Sequence, residues 1–178
     1  MTFRRTQVLF ALAASIVVAL LGFRLLNGPM RTLEETAVLR VFGVLRGKTT
    51  IVGDHNFQVL SPGHFPFRAV LTPYCSSLVS ILALAAIAVF ILRGPLLRRL
   101  SAFTVAGMFV LCCNVIRIGG SLWAGLHYGP GGLVLFHDWL GTMFGLLYTL
   151  FGFLLMLYLM LPSATADIAR AARTSDVL

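Results

Sequence analysis

The chain has 178 residues, of which 58% are hydrophobic and 11% charged, with a mean hydropathy of +0.93. A soluble domain carries about 25% charged residues and less than half apolar ones, so this composition is that of an integral membrane protein of one domain. The net charge of +8 does not mark a nucleic-acid binder, because the basic residues sit at the ends of apolar runs, where they anchor topology.

In chain order, residues Thr2 to Arg5 are short and basic, and Gln7 to Phe23 is an almost unbroken apolar run, long enough to span a bilayer. No small-x-small cleavage site follows it, so the run reads as a retained first helix over about 7–26 rather than a cleaved signal peptide. Asn27-Gly28-Pro29 is expected to break that helix. Leu33, Ala37, Val41 and Val44 then recur at helical spacing, with Glu34, Glu35, Arg40, Arg46 and Lys48 at other positions. This pattern predicts a short amphipathic helix, lying on the membrane surface or packed on the domain.

From Thr49 to Leu71 short β-prone runs alternate with turn signals such as Gly53-Asp54-His55-Asn56 and Ser61-Pro62-Gly63. They predict a small hairpin-like cap within an extracytoplasmic segment 27–74, with too few strands to be a domain of its own. A second apolar helix is expected over about 76–92, then a tight arginine-bearing turn, Arg93 to Arg99. A third helix follows over about 100–126, then the breaker Tyr128-Gly129-Pro130-Gly131-Gly132, and a fourth helix over about 133–161. The segment 163–178 is polar and reads as a cytoplasmic tail. The predicted fold class is therefore an all-α integral membrane protein: four transmembrane helices in one domain, 1–162, a small β-prone cap and an amphipathic interfacial helix. The short loop from Arg93 to Arg99 holds three arginines and the loop from Gly119 to Leu135 none, so the positive-inside rule puts both termini in the cytoplasm. Arg31, Arg40, Arg46, Lys48 and Arg68 oppose that orientation, but they lie in a long segment that also holds three acids.

The three cysteines, Cys75, Cys112 and Cys113, are not a disulfide framework: the count is odd and two are adjacent in an apolar run. CxxC, HExxH and glycine-rich phosphate motifs are absent, and the reading includes no cofactor and no metal. Thr72-Pro73-Tyr74-Cys75-Ser76-Ser77-Leu78 closes the polar cap and opens the second apolar helix. A cysteine in a first helical turn meets free N–H groups and a partial positive charge, which favour thiolate. By itself Cys75 is more simply a buried apolar residue, since free cysteine is commonly buried. Depth changes the balance. At about 1.5 Å per residue, Cys75 stands roughly 26 Å from Leu92, Arg117 roughly 26 Å from Leu100 and His137 roughly 36 Å from Leu161. With a hydrocarbon core about 30 Å thick, all three reach the outer boundary from different helices. Taken singly, Arg117 is a snorkelling side chain and His137 a hydrated interfacial residue. Together they make a set for thiol acyl transfer: a nucleophile, a base that becomes a proton donor, and a cation for the oxyanion. Asn114 and Asp138 stand beside them as candidate orienting groups. Cys112 and Cys113 read as apolar packing.

These residues also carry a resemblance. Cys75-Ser76-Ser77-Leu78, Asn114-Val115-Ile116-Arg117-Ile118 and His137-Asp138-Trp139-Leu140-Gly141, in this order and setting, resemble the exosortase/archaeosortase family of prokaryotic membrane cysteine transpeptidases. The family pattern is a Cys-Ser-Gly-like motif, an arginine in an Asn-x-x-Arg setting and a histidine with glycine shortly after. The resemblance spans about Thr49 to Gly145. It implies that Cys75 is the nucleophile and Arg117 and His137 its catalytic partners. It further implies a membrane-anchored secreted substrate cleaved at a C-terminal sorting signal, at the outer face of a prokaryotic plasma membrane. Ser77 departs from the family's glycine, and the chain is short, resembling the catalytic core alone. Two other readings stay open: a non-catalytic membrane subunit whose cap binds a partner, and a thiol redox protein, which would lack an evident resolving cysteine.

Overall fold

The computed structural model of the chain describes residues 2–42, 49–51, 53, 55–60, 66–91 and 95–161. Helix predominates. Helix α1 spans Thr2–Val41, α2 spans Leu78–Ala86 and continues as π-helix over Ile87–Ile91, and α3 spans Leu96–Val134. A second π-helical stretch, Leu135–Leu140, leads into α4, Gly141–Met160. Ala13–Val41 and Leu96–Met160 are long and apolar enough to cross a membrane, and Leu78–Phe90 is a shorter apolar helix.

Leu96–Met160 is not one rod. Gly129 has φ 70 and ψ −166, a conformation open to glycine, and there the chain reverses. Pro130 follows at the first position of the returning arm, where its missing N–H costs nothing. The two arms lie antiparallel. The Arg98 Nε donates to the Leu159 carbonyl at 3.2 Å near one end, and the Tyr148 hydroxyl donates to Asn114 Oδ1 at 2.9 Å farther up. Arg98 also donates to the Leu161 carbonyl, so a cation closes the C-terminus of α4. The breaker is therefore narrower than the five residues expected, and the flanking helices run longer than 100–126 and 133–161.

The expected break at Asn27-Gly28-Pro29 does not occur: α1 passes straight through Pro29. A proline inside a helix removes its own bond to the carbonyl four residues back and crowds that carbonyl, at a cost of about 3 kcal/mol. The helical bonds on either side of Pro29 persist, so the ladder continues through the expected break point. The segment 27–74, expected to be extracytoplasmic, accordingly begins as helix. The predicted amphipathic face is also reversed. Leu33 and Val41 are 51% and 66% exposed, whereas Glu34, Glu35 and Val38 are buried. A membrane helix turns leucine and valine toward lipid and its carboxyls toward protein partners, the inverse of a water-soluble amphipathic helix.

The cap is a three-stranded antiparallel sheet rather than a single hairpin: β1 (Thr49–Ile51), β2 (Asn56–Val59) and β3 (Phe67–Val70), in the order β1-β2-β3. The register pairs Thr49 with Val59 and Asn56 with Val70. Strand alternation turns Phe57, Val59, Phe67 and Ala69 toward the helices. The sheet is held to α1 by the Arg31 Nη1, which donates to the Leu71 carbonyl at 2.8 Å, and by His55 against Glu35 at 2.8 Å.

Two cores result. The upper one joins the sheet to Val38 of α1 and to Val115, Ile118, Leu122 and Leu126 of α3, and it contains Cys75. The lower one packs Leu84 and Ala88 against Ala102, Ala106 and Val110 of α3 and Met156 of α4. The predicted end of helix two at Leu92, Arg93 and Gly94 of the arginine turn, Val44, Arg46, Lys48, Asp54, Ser61 to Gly63, and the 163–178 tail lie outside the described residues.

Candidate functional site

Cys75 closes a 3₁₀ turn, Pro73–Cys75, that joins the sheet to α2. Pro73 opens this turn, and the Cys75 N–H donates to the Thr72 carbonyl at 3.0 Å. α2 itself starts at Leu78, so Cys75 is not in its first turn, contrary to expectation. Support for a thiolate comes from side chains instead. Cys75 Sγ lies 3.1 Å from His137 Nε2 and 3.0 Å from Thr72 Oγ1. Burial pushes the thiol up. The hydrogen bonds to His137 and Thr72 and the charge on His137 outweigh it, so the thiol lies below the ordinary cysteine value. Asp138 Oδ1 accepts from His137 Nδ1 at 2.9 Å, which directs Nε2 at the sulfur. His137 lies in the π-helical stretch Leu135–Leu140, a local widening of the returning arm.

Arg117 does not touch the sulfur. Its Nη1 donates to the Cys75 carbonyl at 3.5 Å and to Asn114 Oδ1 at 3.4 Å, both long bonds. Its buried Nε, packed against Gly141, has no partner among the described residues. Gly141 makes room for it: a Cβ there would stand 2.9 Å from Arg117 Nε and 3.2 Å from the Phe136 carbonyl.

Beneath the cysteine lies a buried polar network. Asn114 donates to the Cys75 carbonyl at 3.0 Å and to Glu34 Oε1 at 2.9 Å, and accepts from the Tyr148 hydroxyl. Glu34 Oε1 also accepts from the Ser77 N–H at 2.8 Å and the Ser77 hydroxyl at 2.6 Å. Helices α1 and α3 thus converge on the backbone of 75–77, α4 reaches Asn114 through Tyr148, and Asn114 bridges the Glu34 carboxyl to the Arg117 guanidinium. Ser77, which stands where the family pattern has glycine, spends its hydroxyl on Glu34.

Two clefts flank the turn. One, of about 170 Å³, exposes Cys75 and His137 between β3 and the two arms of the helical hairpin. The other runs between α2 and α4, past Ser76, Arg117, Gly141 and Gly145. Of the sequence-predicted residues, Cys75, Arg117 and His137 meet here, with Asn114 and Asp138 as orienting groups. Cys112 is exposed and Cys113 packs against the lower core, away from the site. No group of three or more His, Cys, Asp or Glu side chains suited to a metal ion occurs among the described residues.

Glu34, Thr72 and Tyr148 were not anticipated. A signal existed for Glu34: it lies four residues before Val38 and three after Arg31, on the stripe that faces the protein. No protein-family model matches the sequence, and neither a curated protein nor a solved structure matches it.

Proposed function

We propose that this chain is a membrane-embedded cysteine peptidase or transpeptidase of the exosortase/archaeosortase kind, cleaving a C-terminal sorting signal at the outer membrane face. The observation that carries the reading is the 3.1 Å contact of Cys75 Sγ with His137 Nε2 in a cleft, with the Arg117 guanidinium behind it on the Cys75 carbonyl. The chain crosses the membrane four times, by α1, by α2 with its π-helical extension, and by each arm of the hairpin. Both termini are cytoplasmic. Arg98 and Arg99 mark the inner end of α3, and Arg117 lies 19 residues above Arg98, roughly 28 Å, close to one hydrocarbon thickness of about 30 Å. Exposed Tyr74, Trp123, Tyr128 and Trp139 cluster at the site end of the helices, as an interfacial aromatic belt does.

In the reaction the Cys75 thiolate attacks the carbonyl carbon of the substrate's peptide bond. Negative charge gathers on the carbonyl oxygen, and Arg117 is the cation assigned to offset it. The C–N bond breaks, His137 Nε2 delivers its proton to the leaving amine, and a thioester remains. Water or an acceptor amine then attacks the thioester, His137 takes the proton, and the thiolate is released. Because substrate and enzyme share the bilayer, a weak recognition motif suffices.

The test is labelling of Cys75 in intact cells with a membrane-impermeant thiol reagent across pH, with Cys112 and Cys113 changed to alanine. Labelling from outside, with a midpoint below that of an ordinary cysteine, is expected. Labelling only from inside, or only at the pH of an unactivated thiol, sinks the proposal.

A further inference from the structure

The cleft that exposes the Cys75 thiol has a wall that the chemistry above leaves unused. Four successive residues, Arg68, Ala69, Val70 and Leu71, line it. Successive strand residues point to opposite faces, so four in a row border one cleft only along a strand's edge. β3 is such an edge: among the described residues its one strand neighbour is β2. The ladder identifies the backbone groups that face outward. The Leu71 N–H donates to the His55 carbonyl at 2.9 Å, which makes these two a hydrogen-bonded pair. Such pairs alternate with non-bonded ones in an antiparallel ladder. With Ala69 opposite Phe57, and Arg68 and Val70 opposite Gln58 and Asn56, the amides of Ala69 turn to β2. Those of Arg68 and Val70 turn away from it, and no hydrogen bond reaches them among the described residues.

We propose that the open edge of β3 docks an extended polypeptide segment by strand addition and so delivers its peptide bond to Cys75. The inference rests on the reading of Cys75 as nucleophile and names how that substrate is held. Donors and acceptors two residues apart match an extended backbone. A helix has its amides already bonded, and an acyl chain offers none. The floor of the cleft, Ile118, Leu122 and Leu133, receives an apolar side chain of the segment. The exposed Arg68 side chain, unpaired with any carboxylate among the described residues, favours an acidic residue opposite it. The peptide bond is thereby presented beside the thiol while the rest of the segment leaves the cleft at its open side.

The experiment uses the full chain in lipid nanodiscs, with Cys112 and Cys113 changed to alanine. The probe is a mixture of acetylated, amidated hexapeptides randomised around one central Glu. The reading is the ratio of Cys75 alkylation rates by iodoacetamide without and with peptide. The mixture slows alkylation, and the same mixture N-methylated at alternate amides does not. Val70→Pro, which lacks the outward N–H but leaves the Leu71–His55 bond, weakens protection about threefold to tenfold, the worth of one hydrogen bond. Arg68→Glu, at an exposed position that tolerates it should Val70→Pro not fold, shifts protection from Glu-centred to Lys-centred peptides. Equal protection by the methylated mixture, or an unchanged charge preference in Arg68→Glu, overturns the proposal. Failure of the catalytic reading looks different. Cys75 then alkylates without peptide like an ordinary thiol, while infrared spectra of ¹³C=O-labelled peptide still report strand pairing that the same variants weaken.

Discussion

The two cores are built on opposite plans. In the lower one the helices approach closely through small residues: Ala88, Ala102 and Ala106 are buried, and a Cβ on Gly152 would stand 2.6 Å from Val110 Cγ2. Helices in lipid gain little from hiding apolar surface from one another, so close backbone approach supplies the attraction. In the upper core large residues such as Phe57 and Leu122 surround a chain of buried polar groups: Glu34, Ser77 and Asn114. Every strong directional bond around Cys75 belongs to that region. The lower part is held by packing, and the upper part by a buried hydrogen-bonded network that positions Cys75 and in which Glu34 Oε2 and Arg117 Nε have no partner among the described residues.

Substitutions separate the two. His137→Ala has the largest expected effect. It removes the hydrogen bond and the charge that hold the Cys75 thiol down, leaving burial as the leading influence, so the thiol rises and the thiolate fraction falls at any given pH. With the base also gone, acyl transfer slows by about 100-fold to 10,000-fold, read as release of the substrate's C-terminal segment. Gly141→Ala comes next. Its Cβ drives the Arg117 side chain off the Cys75 carbonyl, and transfer slows about tenfold to a hundredfold, less than outright loss of an oxyanion donor. The pH midpoint of Cys75 alkylation stays in place, since Arg117 does not bond the sulfur; a large move in that midpoint contradicts the assignment of Arg117 to the carbonyl. Gly152→Leu probes the lower core. Overpacking against Val110 costs about 1–3 kcal/mol, seen as a lower unfolding midpoint, while the alkylation profile of the folded fraction is unaltered. Thr72→Val is smallest: it withdraws one hydrogen bond from the sulfur, and the alkylation midpoint moves upward by less than in His137→Ala. A downward or absent move shows that Thr72 does not stabilise the thiolate.

Much of this arrangement was legible in the chain. Counting 1.5 Å per residue from Leu92, Leu100 and Leu161 brought Cys75, Arg117 and His137 to the same outer boundary, because helix rise is nearly invariant. Gly129-Pro130 announced the reversal of the hairpin, and the alternation around Phe57 and Val59 announced strands. Pro29 misled, because a proline's cost is local and the helical bonds on either side of it persist. Glu34 misled for a different reason: on a long apolar helix suited to a membrane, a carboxyl marks the side that packs on the protein.

Composition, the lengths of the apolar runs and the order of Cys75, Arg117 and His137 determined by themselves a helical chain suited to a membrane, with a candidate thiol site at one depth. These are local or additive properties, readable along one dimension. Which atom of Cys75 each partner reaches was decided only in three dimensions. His137 and Thr72 meet the sulfur, Asn114 and Arg117 meet the carbonyl, and Glu34 fixes the residues that follow. Those distinctions turn on a few ångströms of lateral packing between helices distant in sequence, and on which way each helix is rotated about its own axis. No spacing along the chain encodes that rotation; the packing of α1 and the sheet against the hairpin sets it.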